Sequence, residues 1–156
     1  MTTPDGSQDY WVFGYGSLMW RPGFPFAEMA PARLEGWRRD MCIQSIHYRG
    51  TPDIPGLVSG LTPGGKCLGR AYRILPKDVD TVIAYLDERE LITDVYLPQF
   101  HAVALHDDRS VSARVYVADT GHAQFAGHWP VEDKVTYLLQ GSGTEGRSID
   151  YLASIV

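Results

Sequence analysis

The chain has 156 residues, 44% of them hydrophobic and 12% aromatic, which suits one domain with a core of its own and no need of disulfide or metal staples. Fourteen Lys and Arg stand against nineteen Asp and Glu, and the resulting charge of −5 argues against a broad nucleic-acid or anionic-membrane surface. No apolar run reaches transmembrane length, and the stretch from Met1 to Asp9 has neither the positive flank nor the apolar core of a signal peptide, so a cytoplasmic location is expected.

Residues 1–9 read as a polar, mobile tail ahead of a single domain over 10–156. Trp11-Val12-Phe13 is β-branched and aromatic, the pattern of a short buried strand. After it, Arg21 to Phe26 is an aromatic loop that two prolines keep irregular. Ala32 to Tyr48 alternates as a long strand, with Leu34, Trp37, Met41, Ile43 and Ile46 apolar and a slip near Gly36-Trp37 that predicts a bulge. Thr51 to Gly56 is a Pro/Gly loop. Leu57 to Leu61 and Cys67 to Ile74 read as two strands of a hairpin, joined by a turn at Thr62-Pro63-Gly64-Gly65.

Val79, Val82, Ile83 and Leu86 repeat at helical spacing behind Pro76, which predicts a helix ending near Arg89 or Glu90. Strands over Val95 to Leu105 and Ser110 to Val117 follow, turned by His106-Asp107-Asp108. A second helix starts near Pro130, with Val131, Val135, Leu138 and Leu139 as its apolar face and Gly141 as its C-cap. A short helix covers Ser148 to Ile155. Strands outnumber helices and interleave with them irregularly, so the fold class is α+β.

Two places carry chemistry. Gly14-Tyr15-Gly16-Ser17-Leu18 ends the first strand abruptly, and a backbone so broken presents either successive N–H groups as an anion nest or an ordinary tight turn. It is not a dinucleotide fingerprint, since Met19 replaces the third glycine, and no Gly-Lys-Ser/Thr follows to make a P-loop. The second place is the helix end Asp87-Glu88-Arg89-Glu90. Acids at the negative end of a helix dipole cost roughly 0.3–1 kcal/mol each. The same surroundings, through like charges, the dipole and any burial, would raise a carboxyl pKa toward what a general base needs at neutral pH. A solvated acidic helix end is the plainer reading. Cys42 and Cys67 fit reduced strand residues rather than a disulfide or metal pair. His101, His106, His122 and His128 show no metal-ligand spacing, and no metal is expected.

Phe13-Gly14-Tyr15-Gly16-Ser17-Leu18 resembles the signature of the γ-glutamylcyclotransferases, and four further segments narrow the likeness to the glutathione-specific ChaC branch. His47 to Pro52 with Pro55-Gly56-Leu57-Val58 is similar to its His-x-Arg-Gly…Pro-Gly segment. Leu68 to Tyr72 resembles its Gly-x-Ala-Tyr strand, Tyr85 to Glu90 its helix end with the catalytic glutamate, and Gly146 to Leu152 its Gly-Arg-x-x-x-Tyr-Leu. The five segments stand in family order from about Trp11 onward.

The resemblance implies a small mixed β-barrel flanked by helices, the γ-glutamylcyclotransferase-like fold, working without a cofactor on glutathione or a related γ-glutamyl peptide. The substrate's α-amine attacks its own γ-carbonyl, closing 5-oxoproline and expelling cysteinylglycine. Glu90 is the implied catalytic acid–base. Tyr15, Gly16, Ser17 and Leu18 would hold the γ-glutamyl part. Tyr96 and Tyr151 would either bond substrate or simply pack, and Arg49 would either receive the glycine carboxylate or brace its own loop. Ser17 as a nucleophile lacks a Gly-x-Ser-x-Gly elbow. The sequence departs from the branch at Asp94, where glycine is usual, at Leu68, where an aromatic is usual, and in stopping before the longer helical tail. Other γ-glutamyl amino acids or amines are the alternative substrates, and a non-catalytic γ-glutamyl-binding module is the alternative from another class.

Overall fold

The computed structural model describes residues 10–91 and 95–155, so the proposed tail over 1–9 and the departure at Asp94 lie outside the described residues. Five strands close into a barrel in the order β1-β3-β2-β4-β5: β1 (Tyr10–Gly14), β2 (Glu28–Ser45), β3 (Gly56–Ile74), β4 (Tyr96–Leu105) and β5 (Ser110–Ala118). Neighbours are antiparallel except at the seam, where β1 meets β5 in parallel through Trp11↔Ala113 and Val12↔Arg114. Three helices flank the barrel: α1 (Val79–Glu90), α2 (Val131–Gln140) and α3 (Ser148–Ile155). A two-stranded clip, β6 (Ser142–Gly143) with β7 (Gly146–Arg147), lies between the last two. Among the described residues no helix is long and apolar enough to cross a membrane.

β1 is buried throughout because both of its faces are covered. Side chains alternate across a strand, so Trp11 and Phe13 enter the barrel with Leu34, Leu61, Val103, Val115 and Val117, while Tyr10 and Val12 face α1 and meet Val82 and Leu86. Complete burial of Leu86 and near-complete burial of Val82 contribute about 1.5–3 kcal/mol each and fix the helix against the barrel wall. Its last residue, Glu90, is thereby held at one end of the barrel.

The expected hairpin turn at Thr62–Gly65 does not exist. β3 runs unbroken through it, paired with β2 from Glu28↔Arg73 to Ser45↔Gly56. Gly64 and Gly65 do take positive φ (+106° and +69°), but they oppose a single residue, Gly36 (φ +87°), between the pairs Glu35↔Lys66 and Trp37↔Pro63. The glycines thus bend a two-stranded ribbon rather than reverse it. The slip foreseen at Gly36-Trp37 is the other side of this bulge, and a second shift falls between Met41 and Ile43.

α2 also differs from expectation. Only Leu138 of its four apolar residues is buried, while Val131 and Leu139 are 74% and 68% exposed and Val135 is exposed too. Gly141 ends the helix with φ −71°, outside the left-handed region of a glycine C-cap. It is small for another reason: a Cβ there would stand 2.3 Å from Gly56 Cα and 2.4 Å from the Arg49 carbonyl. Cys42 and Cys67 are buried and free.

Candidate active site

The signature segment folds into a single 3-10 turn over Ser17–Met19. Its carbonyls are held from outside. Arg39 Nε donates to the Tyr15 carbonyl at 2.8 Å, Tyr72 Oη to that of Leu18 at 2.6 Å, and Arg70 Nη1 to that of Met19 at 2.6 Å. The N–H groups of Gly16, Ser17 and Leu18 have no acceptor among the described residues. The three peptide units that carry these N–H groups have their oxygens engaged, Tyr15 by Arg39 and Gly16 and Ser17 by the Met19, Trp20 and Arg21 N–H groups, which leaves their N–H groups for a ligand. Gly16 is required by space: a Cβ would lie 2.5 Å from Tyr151 Oη and 3.1 Å from Ser59 Oγ. Gly14 is equally tight, with Leu18 Cβ at 2.6 Å.

Two connected spaces open here. An outer pocket of about 380 Å³ is bounded by Ser17, Tyr48, Arg49, Glu90, Tyr96 and Tyr151 among others. An inner chamber of about 40 Å³ lies against Tyr15, Gly16, Ser17, Leu18, Ser59, Glu90, Tyr96 and Tyr151. All eight residues singled out from sequence therefore line one or both. The outer volume is in the range of small-molecule sites.

Glu90 borders both spaces, with its side chain only 19% exposed. Burial pushes its carboxyl above the ordinary value, and the Arg89 guanidinium, 3.8 Å away, pulls partly against that. The crowding of acids expected from sequence is not the cause. Asp87 is turned away, bonded to Arg114 Nη2 and Tyr116 Oη at 2.8 Å each, and so ties the helix end to β5.

Three tyrosines surround the carboxylate. Tyr15 Oη donates to the Tyr116 carbonyl (2.6 Å) and Tyr96 Oη to the Ser59 carbonyl (2.7 Å). Tyr151 Oη lies 2.7 Å from Ser59 Oγ and accepts from Ser59 N–H at 3.3 Å. Burial drives all three phenols above their ordinary pKa, so they stay neutral. With their protons spent on carbonyls, Tyr15 and Tyr96 offer lone pairs, which suit an ammonium or amine.

Arg49 is buried. Its Nη1 donates to the Arg147 carbonyl (3.1 Å) and its guanidinium stacks on the Tyr151 ring at 5.5 Å. It braces β7 and α3, and it also lines the outer pocket. Ser59 and Arg89 are the residues sequence reasoning missed. A serine inside Leu57-Val58-Ser59-Gly60-Leu61 is a polar group in an otherwise buried run, and that was the available signal. Among the described residues, no three His, Cys, Asp or Glu side chains gather as metal ligands.

The model of the ChaC-like protein family matches residues 10–156. The chain is a member of the ChaC-like family. A family relative from Escherichia coli K12, a glutathione-specific γ-glutamylcyclotransferase, is 35% identical over 93% of this chain. This chain spans 63% of that relative's length. γ-Glutamylcyclotransferase 2-3 of Arabidopsis thaliana is 34% identical, covering 93% of this chain and 77% of its own. The crystal structure of a yeast γ-glutamyl cyclotransferase specific to glutathione superposes with a TM-score of 0.87 over 94% of this chain and 85% of that one, at 22% identity. That likeness carries the fold: a ChaC-like α+β barrel with flanking helices, as the sequence resemblance implied.

Proposed function

We propose that this chain is a glutathione-specific γ-glutamylcyclotransferase with Glu90 as its acid–base, carried by residues 10–156 as one domain in the cytoplasm. The observation that carries this reading is Glu90 itself: a carboxylate with only 19% of its side chain exposed, bordering two spaces that are also lined by the signature turn, whose Gly16, Ser17 and Leu18 N–H groups have no acceptor among the described residues. The Escherichia coli relative is named a glutathione-specific γ-glutamylcyclotransferase and the Arabidopsis thaliana one a γ-glutamylcyclotransferase, which supports this reading.

The γ-glutamyl head is an α-amino acid and needs both an anion site and an ammonium site. The N–H groups of Gly16, Ser17 and Leu18 suit its carboxylate or the developing oxyanion. Tyr15, Tyr96 and Glu90 suit its nitrogen. An α-amine with a pKa of about 7.7–8.0 is largely protonated at neutral pH. A carboxylate whose affinity for protons is raised by burial takes that proton more readily than an exposed one. The nitrogen then attacks the γ-carbonyl carbon, the N–C bond of the five-membered lactam forms, and the bond to the cysteinyl nitrogen breaks. Glu90 returns the proton to that leaving nitrogen, then takes the second proton that the attacking nitrogen sheds as the lactam forms and passes it on. Cysteinylglycine thus departs as an ammonium, the carboxylate is regenerated and no water is consumed. Holding the chain folded for this closure can lower the barrier by roughly 7–11 kcal/mol. The outer pocket takes the cysteinylglycine part, with Arg49 and Tyr151 on its wall.

The purified protein incubated with reduced glutathione is expected to release cysteinylglycine and 5-oxoproline in equal amounts. Release of 5-oxoproline only from other γ-glutamyl amino acids or amines would transfer the activity to them. Thermal stabilisation by glutathione with no product from any of these would establish a binding module instead.

A further inference from the structure

Arg89 precedes Glu90 at the end of α1, and its side chain is 17% exposed. Its guanidinium is fixed on every side. Nη2 donates to Ser17 Oγ at 2.5 Å, Nη1 to Tyr85 Oη at 2.9 Å and to the Arg21 carbonyl at 3.2 Å, and Nε lies 3.8 Å from Glu90 Oε1. Tyr85 is itself clamped, since a Cβ on Gly23 (φ +74°) would meet its hydroxyl at 2.2 Å. The fork therefore bridges the helix that carries Glu90 and the turn that carries the free N–H groups.

The bond to Ser17 has a chemical consequence. A hydroxyl that accepts from a guanidinium keeps its own proton to give, and no described residue accepts it. Ser17 borders both the pocket and the chamber. It thus stands as a donor beside the N–H groups of its own turn, backed by a positive charge.

We propose that Arg89 is the positioning residue that joins the two halves of the site: it fixes the Ser17 hydroxyl as a donor to the substrate's α-carboxylate and serves as counter-ion to Glu90. The inference rests on the cyclotransferase reading. The other charged or titratable groups facing Glu90 are the phenols of Tyr15, Tyr48, Tyr96 and Tyr151, with His47, Tyr85, Glu88, Arg49 and Glu145 around the same pocket. Arg89 is the cation in contact with it.

The test compares glutathione with its α-carboxamide analogue across a pH series, for wild type, Arg89→Gln, Arg89→Lys, Ser17→Ala and the Arg89→Gln/Ser17→Ala double variant. Arg89→Gln and Ser17→Ala are each expected to lose about ten- to a hundredfold in kcat/KM on glutathione, as for one charge-assisted hydrogen bond, and little on the carboxamide. The double variant is expected to be no worse than the weaker single one. Arg89→Gln removes the cation that favours ionised Glu90, so its acid limb moves to higher pH. Arg89→Lys keeps the charge and the limb while losing discrimination between the substrates, and it carries the test if Arg89→Gln does not fold. Equal losses on both substrates with an unmoved acid limb, or multiplying losses in the double variant, overturn the proposal. Glu90→Gln assayed alongside separates the two levels. If it is inactive while Arg89→Gln gives the overturning pattern, the role of Arg89 alone falls. If it turns over like wild type, the acid–base role of Glu90 falls and the counter-ion role of Arg89 with it, whereas no 5-oxoproline from wild type on any γ-glutamyl substrate would overturn the cyclotransferase reading itself.

Discussion

Glu90 was legible as an acid at the wrong end of a helix, and of the three causes foreseen for a raised pKa, like charges, dipole and burial, burial is the one that acts. Its neighbour Asp87 is occupied by Arg114 and Tyr116, and enclosure by the barrel end does the work that crowding was expected to do. This has a stability consequence. A carboxyl whose folded pKa lies above its unfolded one loses stability for the fold as pH rises past the ordinary 4.5 and the group is forced to ionise. Glu90→Gln removes that loss, so its melting temperature should exceed that of wild type at pH 7 and converge with it near pH 4. Ser59 was missed because a polar residue inside a buried run does not say which groups it reaches, here Tyr96 and Tyr151. Ser59→Ala leaves the buried Tyr151 hydroxyl without its side-chain partner and should cost about 1–3 kcal/mol in urea unfolding. Gly16→Ala forces a methyl onto Tyr151 Oη. It should reduce turnover of glutathione at least about tenfold, since misplacement of an ångström at a site can cost more than that, while circular dichroism stays native.

Element existence was largely readable from periodicity, and the errors have physical causes. A Thr-Pro-Gly-Gly run carries the composition of a turn, yet two positive-φ glycines opposite one more produce a bulge when both flanking segments pair with the same partner strand. Local composition cannot distinguish the two outcomes, because pairing is decided by residues thirty positions away. In α2 the apolar periodicity was real but the face was wrong: Leu138 meets Leu57 and Ala126, while Val131, Val135 and Leu139 stay outside. Leu138→Ala should therefore cost about 2–4 kcal/mol as a buried truncation. Val135→Gln should stay within about 0.5 kcal/mol, as for surface changes generally. Urea denaturation of both variants checks the assignment, and the reverse order would restore the face read from sequence.

At the scale of the molecule, the barrel brings residues 15–18, 49, 59, 90, 96 and 151 to one end, although they are spread over most of the chain. Family resemblance alone suggested a common purpose for them, since spacing gives no hint that Tyr15 and Tyr151 share a chamber. The barrel encloses the carboxylate from one side, α1 delivers it, and the signature turn lines the same two spaces. On the proposed reading no protein nucleophile is needed, because the substrate supplies its own. The central claim is that one half-buried carboxylate moves the protons in the proposed ring closure. The most direct measurement is the rate of 5-oxoproline release from glutathione by Glu90→Gln, a variant that keeps size and fold. A fall of about a hundredfold or more, in the range typical of a lost general acid–base, with glutathione still raising the melting temperature, is the predicted result. Release at the wild-type rate would contradict it.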